Sequence, residues 1–150
     1  MSDVLFYHLE RARLGTVLPG LLEKTLERGW RALVLSGDAD RLEAMDDHLW
    51  TFRDDSFLPH GTSDEAGLNP VLLSADEEAS LEGRQIVFLT NGAEFAADKL
   101  SALERCVTVF DGGDEDAVAR ARGFWKAAAD NGHDVTYWRQ NENGQWKKQN

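Results

Sequence analysis

Short continuous apolar runs alternate along the chain with stretches of helical spacing. Val4-Leu5-Phe6-Tyr7 opens as a strand, and Ala32-Leu33-Val34-Leu35 is a second run, bounded by Ser36-Gly37-Asp38. An unbroken apolar run of this length suits a strand buried on both faces. Between them, Leu18, Leu21, Leu22 and Leu26 follow one helix face, which predicts a helix from Thr16, its N-cap, to Arg28, with Pro19 in the first turn and Gly29 as the stop. A second helix, capped by Asp40, carries Leu42, Met45 and Leu49 inward and ends near Trp50 to Phe52. Val71-Leu72-Leu73, Ile86-Val87-Phe88-Leu89 and Val107-Thr108-Val109-Phe110 read as further buried strands, with a short helix around Glu94 to Leu103. A long helix from Asp114 to Asp130 is stopped by Asn131-Gly132, and a last strand, Val135 to Arg139, precedes an Asn143-Gly144 turn. This alternation predicts a three-layer α/β/α, Rossmann-like domain with a mostly parallel sheet. Residues 1–150 form one domain in this reading, with about 141–150 as a polar tail carrying Trp146.

The segment from Arg53 to Pro70 breaks the pattern, with two prolines, two glycines and no helical period. It is a long connection for a compact domain, and such loops often carry function. At 150 residues and 42% hydrophobic content, the chain is long enough for one core. No stretch approaches the roughly 20 apolar residues of a membrane span, and the N-terminus lacks a signal-peptide pattern. With Cys106 its only cysteine, the chain fits a reducing cytoplasm and has no internal disulfide.

The net charge of -11 argues against a dedicated nucleic-acid binder. Its distribution is uneven: 10 Lys/Arg stand against 24 Asp/Glu up to residue 116, and 6 against 3 from residue 117 onward. The C-terminal fifth is thus a small basic island that could dock an acidic partner.

Enzyme motifs are mostly missing. No glycine-rich phosphate turn follows a strand, and Ser36-Gly37-Asp38 and Asp111-Gly112-Gly113-Asp114 contain no lysine to neutralise phosphate. His8, His48, His60 and His133 are scattered without metal-ligand spacing and read as surface or packing residues. No cofactor and no resident metal are expected. One enzymatic alternative stays open, a small Mg²⁺-dependent or receiver-like domain using Asp38 or Asp111 at strand ends, although such aspartates commonly cap the following helix.

The final helix carries the more unusual pattern. Ala117, Ala121, Phe124 and Ala128 form its core stripe at about 100° per residue. Val118, Arg122, Trp125, Lys126 and Ala129 form a second stripe, with two cations flanking an indole. Trp50, Phe57, Leu58 and Pro59 concentrate aromatic and rigid groups near the long loop. If that loop packs beside the final helix, it forms an apolar slot rimmed by Arg122 and Lys126, suited to a peptide ending in an aromatic residue and a carboxylate.

Three segments together resemble the chi subunit of bacterial DNA polymerase III: Val4-Leu5-Phe6-Tyr7, Leu49-Trp50-Thr51-Phe52 leading into Ser56-Phe57-Leu58-Pro59-His60, and Ala121-Arg122-Gly123-Phe124-Trp125-Lys126. The resemblance implies a non-catalytic accessory subunit associated with the clamp-loader part of the holoenzyme. It also implies binding of the acidic, phenylalanine-ended C-terminal tail of the single-stranded-DNA-binding protein, and of the small psi subunit through another surface. By matching positions, Arg122 and Lys126 would meet the tail's carboxylates, while Trp125, Trp50, Phe57 and Pro59 would hold its apolar end. Two positions depart from the family pattern: Trp125 stands where tyrosine is frequent, and Val118 where some members have a basic residue. DNA contact is expected to be mainly indirect, although Trp138, Trp146 and the basic tail leave direct binding of a single strand as a third possibility.

Overall fold

The apolar runs become the inner strands of one eight-stranded sheet. The structure is a computed structural model that describes residues 2–10, 13–51, 60–62, 70–79, 81–140 and 145–149, with the side chains of Trp50 and Thr51 outside that set. In chain order the elements are β1 (Asp3–Leu9), α1 (Leu14–Glu27), β2 (Ala32–Ser36), α2 (Asp40–Thr51), β3 (His60–Gly61), β4 (Val71–Ser74), β5 (Ile86–Thr90), a 3₁₀ turn (Ala97–Ala102), β6 (Arg105–Asp111), α3 (Glu115–Asp130), β7 (Asp134–Gln140) and β8 (Trp146–Lys148). The strand order is β3-β4-β2-β5-β6-β1-β7-β8, parallel throughout except for β8, which runs antiparallel to β7. This is the three-layer α/β/α, Rossmann-like architecture expected from the sequence.

Alternation along each strand sends successive side chains to opposite faces, and two cores result. On one face Val34, Val71, Phe88 and Val107 meet Leu18 and Leu22 of α1 and Leu49 of α2. On the other, Val4, Phe6, Leu33, Val87 and Cys106 meet Leu100 of the 3₁₀ turn and Ala121 and Ala128 of α3. Burial of side chains such as Leu18 and Leu22 contributes about 1.5–3 kcal/mol each.

Helix α1 starts at Leu14 rather than Thr16, with Arg13 at the N-cap and no side-chain cap. Pro19 therefore lies inside the helix and withholds a donor from the carbonyl of Gly15. His48 of α2 takes that place, its Nε2 donating to Gly15 O at 2.6 Å. At the other end Gly29 adopts φ 77°, with Gly29 N–H donating to Leu26 O (2.9 Å) and Trp30 N–H to Thr25 O (3.2 Å). That pair of bonds is the Schellman arrangement that only an αL residue permits without strain. Helix α2 also differs from expectation: Asp38, not Asp40, supplies the side chain at its start, accepting from Asp40 N–H at 3.0 Å.

The helix expected over 94–103 shortens to the 3₁₀ turn, because Leu100 is its only buried residue and one anchor does not hold a longer amphipathic helix on the sheet. Two short strands were not anticipated. His60–Gly61 adds to the β4 edge, and Trp146–Lys148 makes an antiparallel strand of the segment read as a polar tail.

Candidate functional site

Helix α3 is built to display one basic edge. Asp114 caps it, accepting from Asp116 N–H (3.0 Å) and Ala117 N–H (3.3 Å), and the acidic Glu115 and Asp116 in the first turn complement the helix dipole. Six alanines favour the helical state, and Asn131, whose Nδ2 donates to Ala127 O at 2.7 Å, closes it before Gly132 at φ 82°. Ala121 and Ala128 are buried against the sheet, so the helix sits close to its strands.

Small residues beneath the helix leave room for rings at its margin. Trp125 lies on Phe6 with ring centroids 5.3 Å apart and on Tyr137 at 5.9 Å. Phe6 also meets Phe124 at 6.0 Å and stacks on Tyr137 at 6.4 Å with planes 13° apart. Trp125 is thus a half-buried ring pinned by its inner face. Val118 packs, also half-buried, on the same cluster. Arg122 and Lys126 are exposed, and neither has an ion pair or hydrogen bond among the described residues. Two cations, unneutralised among the described residues, thus flank a fixed indole along one edge of the helix.

Tyr137 was not singled out by sequence reasoning, and the period-2 alternation of Val135 and Tyr137 in β7 was the signal that would have found it. Its hydroxyl is hydrogen-bonded to His8 Nδ1. Burial raises the Tyr137 pKa, with the positive charges of Arg139 and Arg122 pulling against it. His8 is held below its ordinary value, first by burial and then by Arg139, with Glu10 and Asp111 opposing. Glu10 lies 3.5 Å from His8 Nε2 and also pairs with Arg139.

The single slot expected from Trp50, Phe57 and Pro59 with Arg122 and Lys126 is not assembled among the described residues. Helix α2, which contains Trp50 in its last turn, packs on α1, β3 and β4, whereas α3 packs on the 3₁₀ turn, β6 and β7 on the opposite face. Phe57 and Pro59 lie outside the described residues, as does the side chain of Trp50. Arg122, Trp125, Lys126 and Val118 are the members that the structure brings together.

The carboxyl edge of the sheet holds a cleft of about 1110 Å³, lined in part by Asp38 and Asp111. Each of these aspartates has local structural work. Asp38 caps α2 and pairs with Arg41 at 3.3 Å, while Asp111 Oδ1 accepts from Gly113 N–H at 2.9 Å. Among the described residues no three His, Cys, Asp or Glu side chains converge as metal ligands. The histidines are likewise engaged locally: His60 Nε2 donates to Asp46 O at 3.0 Å, and His133 Nδ1 accepts from Ser2 N–H at 3.0 Å.

The fold is thus a Rossmann-like α/β domain whose strand-end aspartates serve its turns and whose last helix carries exposed cations beside a half-buried ring. The family described as DNA polymerase III chi subunit, HolC, matches residues 1–136, and the chain belongs to that family. No curated protein matches the chain. It is accordingly an accessory subunit of DNA polymerase III, associated with the holoenzyme in DNA replication rather than its catalytic polymerase subunit. No helix among the described residues is long and apolar enough to cross a membrane.

Proposed function

We propose that this chi-type subunit bridges the clamp-loader assembly to the single-stranded-DNA-binding protein by holding that protein's acidic C-terminal tail on the basic edge of α3. The observation that carries this reading is the exposed state of Arg122 and Lys126, unpaired among the described residues, beside the half-buried Trp125 in a chain of the chi family. Arg122 and Lys126 receive carboxylates, and Trp125 with Val118 offers apolar surface to the terminal ring. The subunit works as one domain in the cytoplasm, and its contact with DNA along this route is indirect.

The opposite placement of α2 and α3 supports a division of labour. Trp50, with Phe57 and Pro59 following in the chain, then meets a different partner, the psi subunit that the family resemblance implies.

The test is calorimetric titration of the chain with the last ten or so residues of its own single-stranded-DNA-binding protein, beside the same peptide lacking the terminal phenylalanine. Intact tail should bind at about micromolar strength, near -8 kcal/mol. Arg122→Ala should weaken it, and Lys126→Glu should weaken it more than Lys126→Ala, since the glutamate adds repulsion. Trp50→Ala should leave it unchanged. Absence of binding, or equal affinity for wild type and Lys126→Glu, would refute the reading. A loss with Trp50→Ala matching that of Arg122→Ala would restore the single slot.

A further inference from the structure

Helices α1 and α2 cover one face of the sheet incompletely. The core beneath them is made by β1, β2, β4, β5 and β6, takes in Trp146 of β8 at its margin, and contains no residue of β7. Register places Trp138 beside Tyr7 and Lys148 beside Trp138, so these side chains share that face, where Trp146 also lies. Tyr7, Trp30, Trp138 and Trp146 are all half-buried. On the covered strand β5, by contrast, Phe88 of the same face is 1% exposed. Tyr7, Trp30 and Trp146 pack on the margin of this core yet stay only half-buried, and Trp138 is outside it, so core packing accounts for these four large rings only in part.

The rings are accompanied by cations. Arg28 and Arg105 both lie over Trp30, at 5.2 and 5.4 Å from its ring centroid. Burial raises the Tyr7 pKa while the positive charges of Arg105 and Arg28 pull against it, and Tyr7 makes a T-shaped contact with Trp146 at 5.0 Å. Lys148 is exposed on the edge strand. Aromatic and positive groups thus follow one another across β6, β1, β7 and β8, three strand spacings of about 4.8 Å. Asp3 and Asp134 stand on one row at the end of this face, where Asp3 is 3.7 Å from Arg105.

We propose that this sheet face, which no helix fully covers among the described residues, binds single-stranded DNA directly, with bases stacking on Trp146 and Trp138 and phosphates meeting Lys148 and the guanidinium groups of Arg28 and Arg105 that lie over Trp30. Rings supply sequence-tolerant stacking and cations supply the backbone contact, which is the pairing that single-strand platforms use. A duplex hides its base faces and gains little from exposed rings. A polyanion complements the cations here, whereas an acidic peptide would lack faces for several rings. Trp138, Trp146 and Lys148 lie beyond residue 136, where the family match ends. The surface is on the opposite side of the sheet from α3, so its activity is separable from that of the proposed tail site.

The experiment is fluorescence anisotropy of a labelled oligothymidylate of about 20 nucleotides, longer than a ~4–16-nucleotide site, titrated with the full chain. At about 50 mM salt the affinity should fall within ~1–100 µM and weaken as salt rises. Trp146→Ala should weaken it at least about fivefold, the low end of one stacking contact. Lys148→Glu, an exposed change that leaves the fold intact by circular dichroism, should flatten the salt dependence by about 0.7 in log-log slope. Lys126→Glu should leave binding unchanged. Absence of binding, equal affinity for a duplex of the same length, or indifference to both Trp146→Ala and Lys148→Glu would overturn the proposal. A loss with Lys126→Glu equal to that with Lys148→Glu would also overturn it, by moving the contact to α3.

Discussion

Gly112, in the turn between β6 and α3, tests how firmly the sheet's carboxyl edge is locked. A Cβ added there would stand 1.8 Å from His8 Nε2 and 2.3 Å from its Cδ2. The backbone of Gly112 is outside the left-handed region, so Gly112→Ala introduces a collision without backbone strain. The imidazole has little room to yield. It meets Phe110 edge-on with centroids 5.2 Å apart, meets Tyr137 at 5.8 Å, and is hydrogen-bonded to the Tyr137 hydroxyl. Overpacking of this kind costs about 1–3 kcal/mol, and displacing the ring forfeits a hydrogen bond worth about 0.5–1.5 kcal/mol. The expected total is about 2–4 kcal/mol, read as a lower urea midpoint at unchanged slope and a melting temperature lower by about 5–15 °C. A double-mutant cycle isolates the cause: in a His8→Ala background the obstacle is gone, and Gly112→Ala should cost less than about 0.5 kcal/mol. Equal losses in the two backgrounds, or a loss below about 0.5 kcal/mol in wild type, would refute the steric argument.

His8 also predicts a pH dependence. Its pKa in the folded protein lies below the ordinary 6.5, so the unfolded chain binds the proton first. Its contribution to stability is complete above pH 6.5, declines as pH falls through 6.5 toward the lower folded value, and levels off below that value. The stability difference between wild type and His8→Asn, followed by urea titration, should shrink on acidification across that window, and a difference independent of pH would exclude the linkage. Burial pushes the Cys106 thiol up and screens it from solvent, so a thiol reagent should react with it only in urea, and stoichiometric labelling of the folded chain would contradict its placement in the core. Arg84 is buried at 5% exposure and donates to Ala32 O at 3.2 Å and Pro70 O at 3.1 Å. Arg84→Met should lower stability by about 2–4 kcal/mol in denaturant, and a loss under about 0.5 kcal/mol would mean that the guanidinium does not tie β2 to the start of β4.

Hydrophobic period carried most of the fold. The runs at Ala32, Ile86 and Val107 became buried strands because each is too short for a helix and is covered on both faces of the parallel sheet. The stripe of Ala121 and Ala128 became the inner face of α3, and Gly29 ended α1 where its φ of 77° requires glycine. Shorter elements escaped for a physical reason. Trp146–Lys148 has three residues and owes its strand state to pairing with β7, which no local propensity announces. Thr16 looked like a cap, yet Leu14 and Val17 pack against the core and draw the helix start back to Arg13.

The candidate site divided along the same line. Arg122, Trp125 and Lys126 sit on one helix, so their proximity follows from spacing alone. Their proximity to Trp50 depended on which face each helix covers, and that is decided by connections, since α2 joins β2 to β3 on one side and α3 joins β6 to β7 on the other. Opposite faces suit the proposed bridging role better than one shared slot. A tail held on α3 and a strand laid across β1, β7 and β8 would not compete, and a molecule that offers both, a DNA strand with its bound protein, would make the second contact at the raised local concentration set by the first. Two contacts of micromolar strength would then act together while each stayed weak enough to release as the polymerase advances.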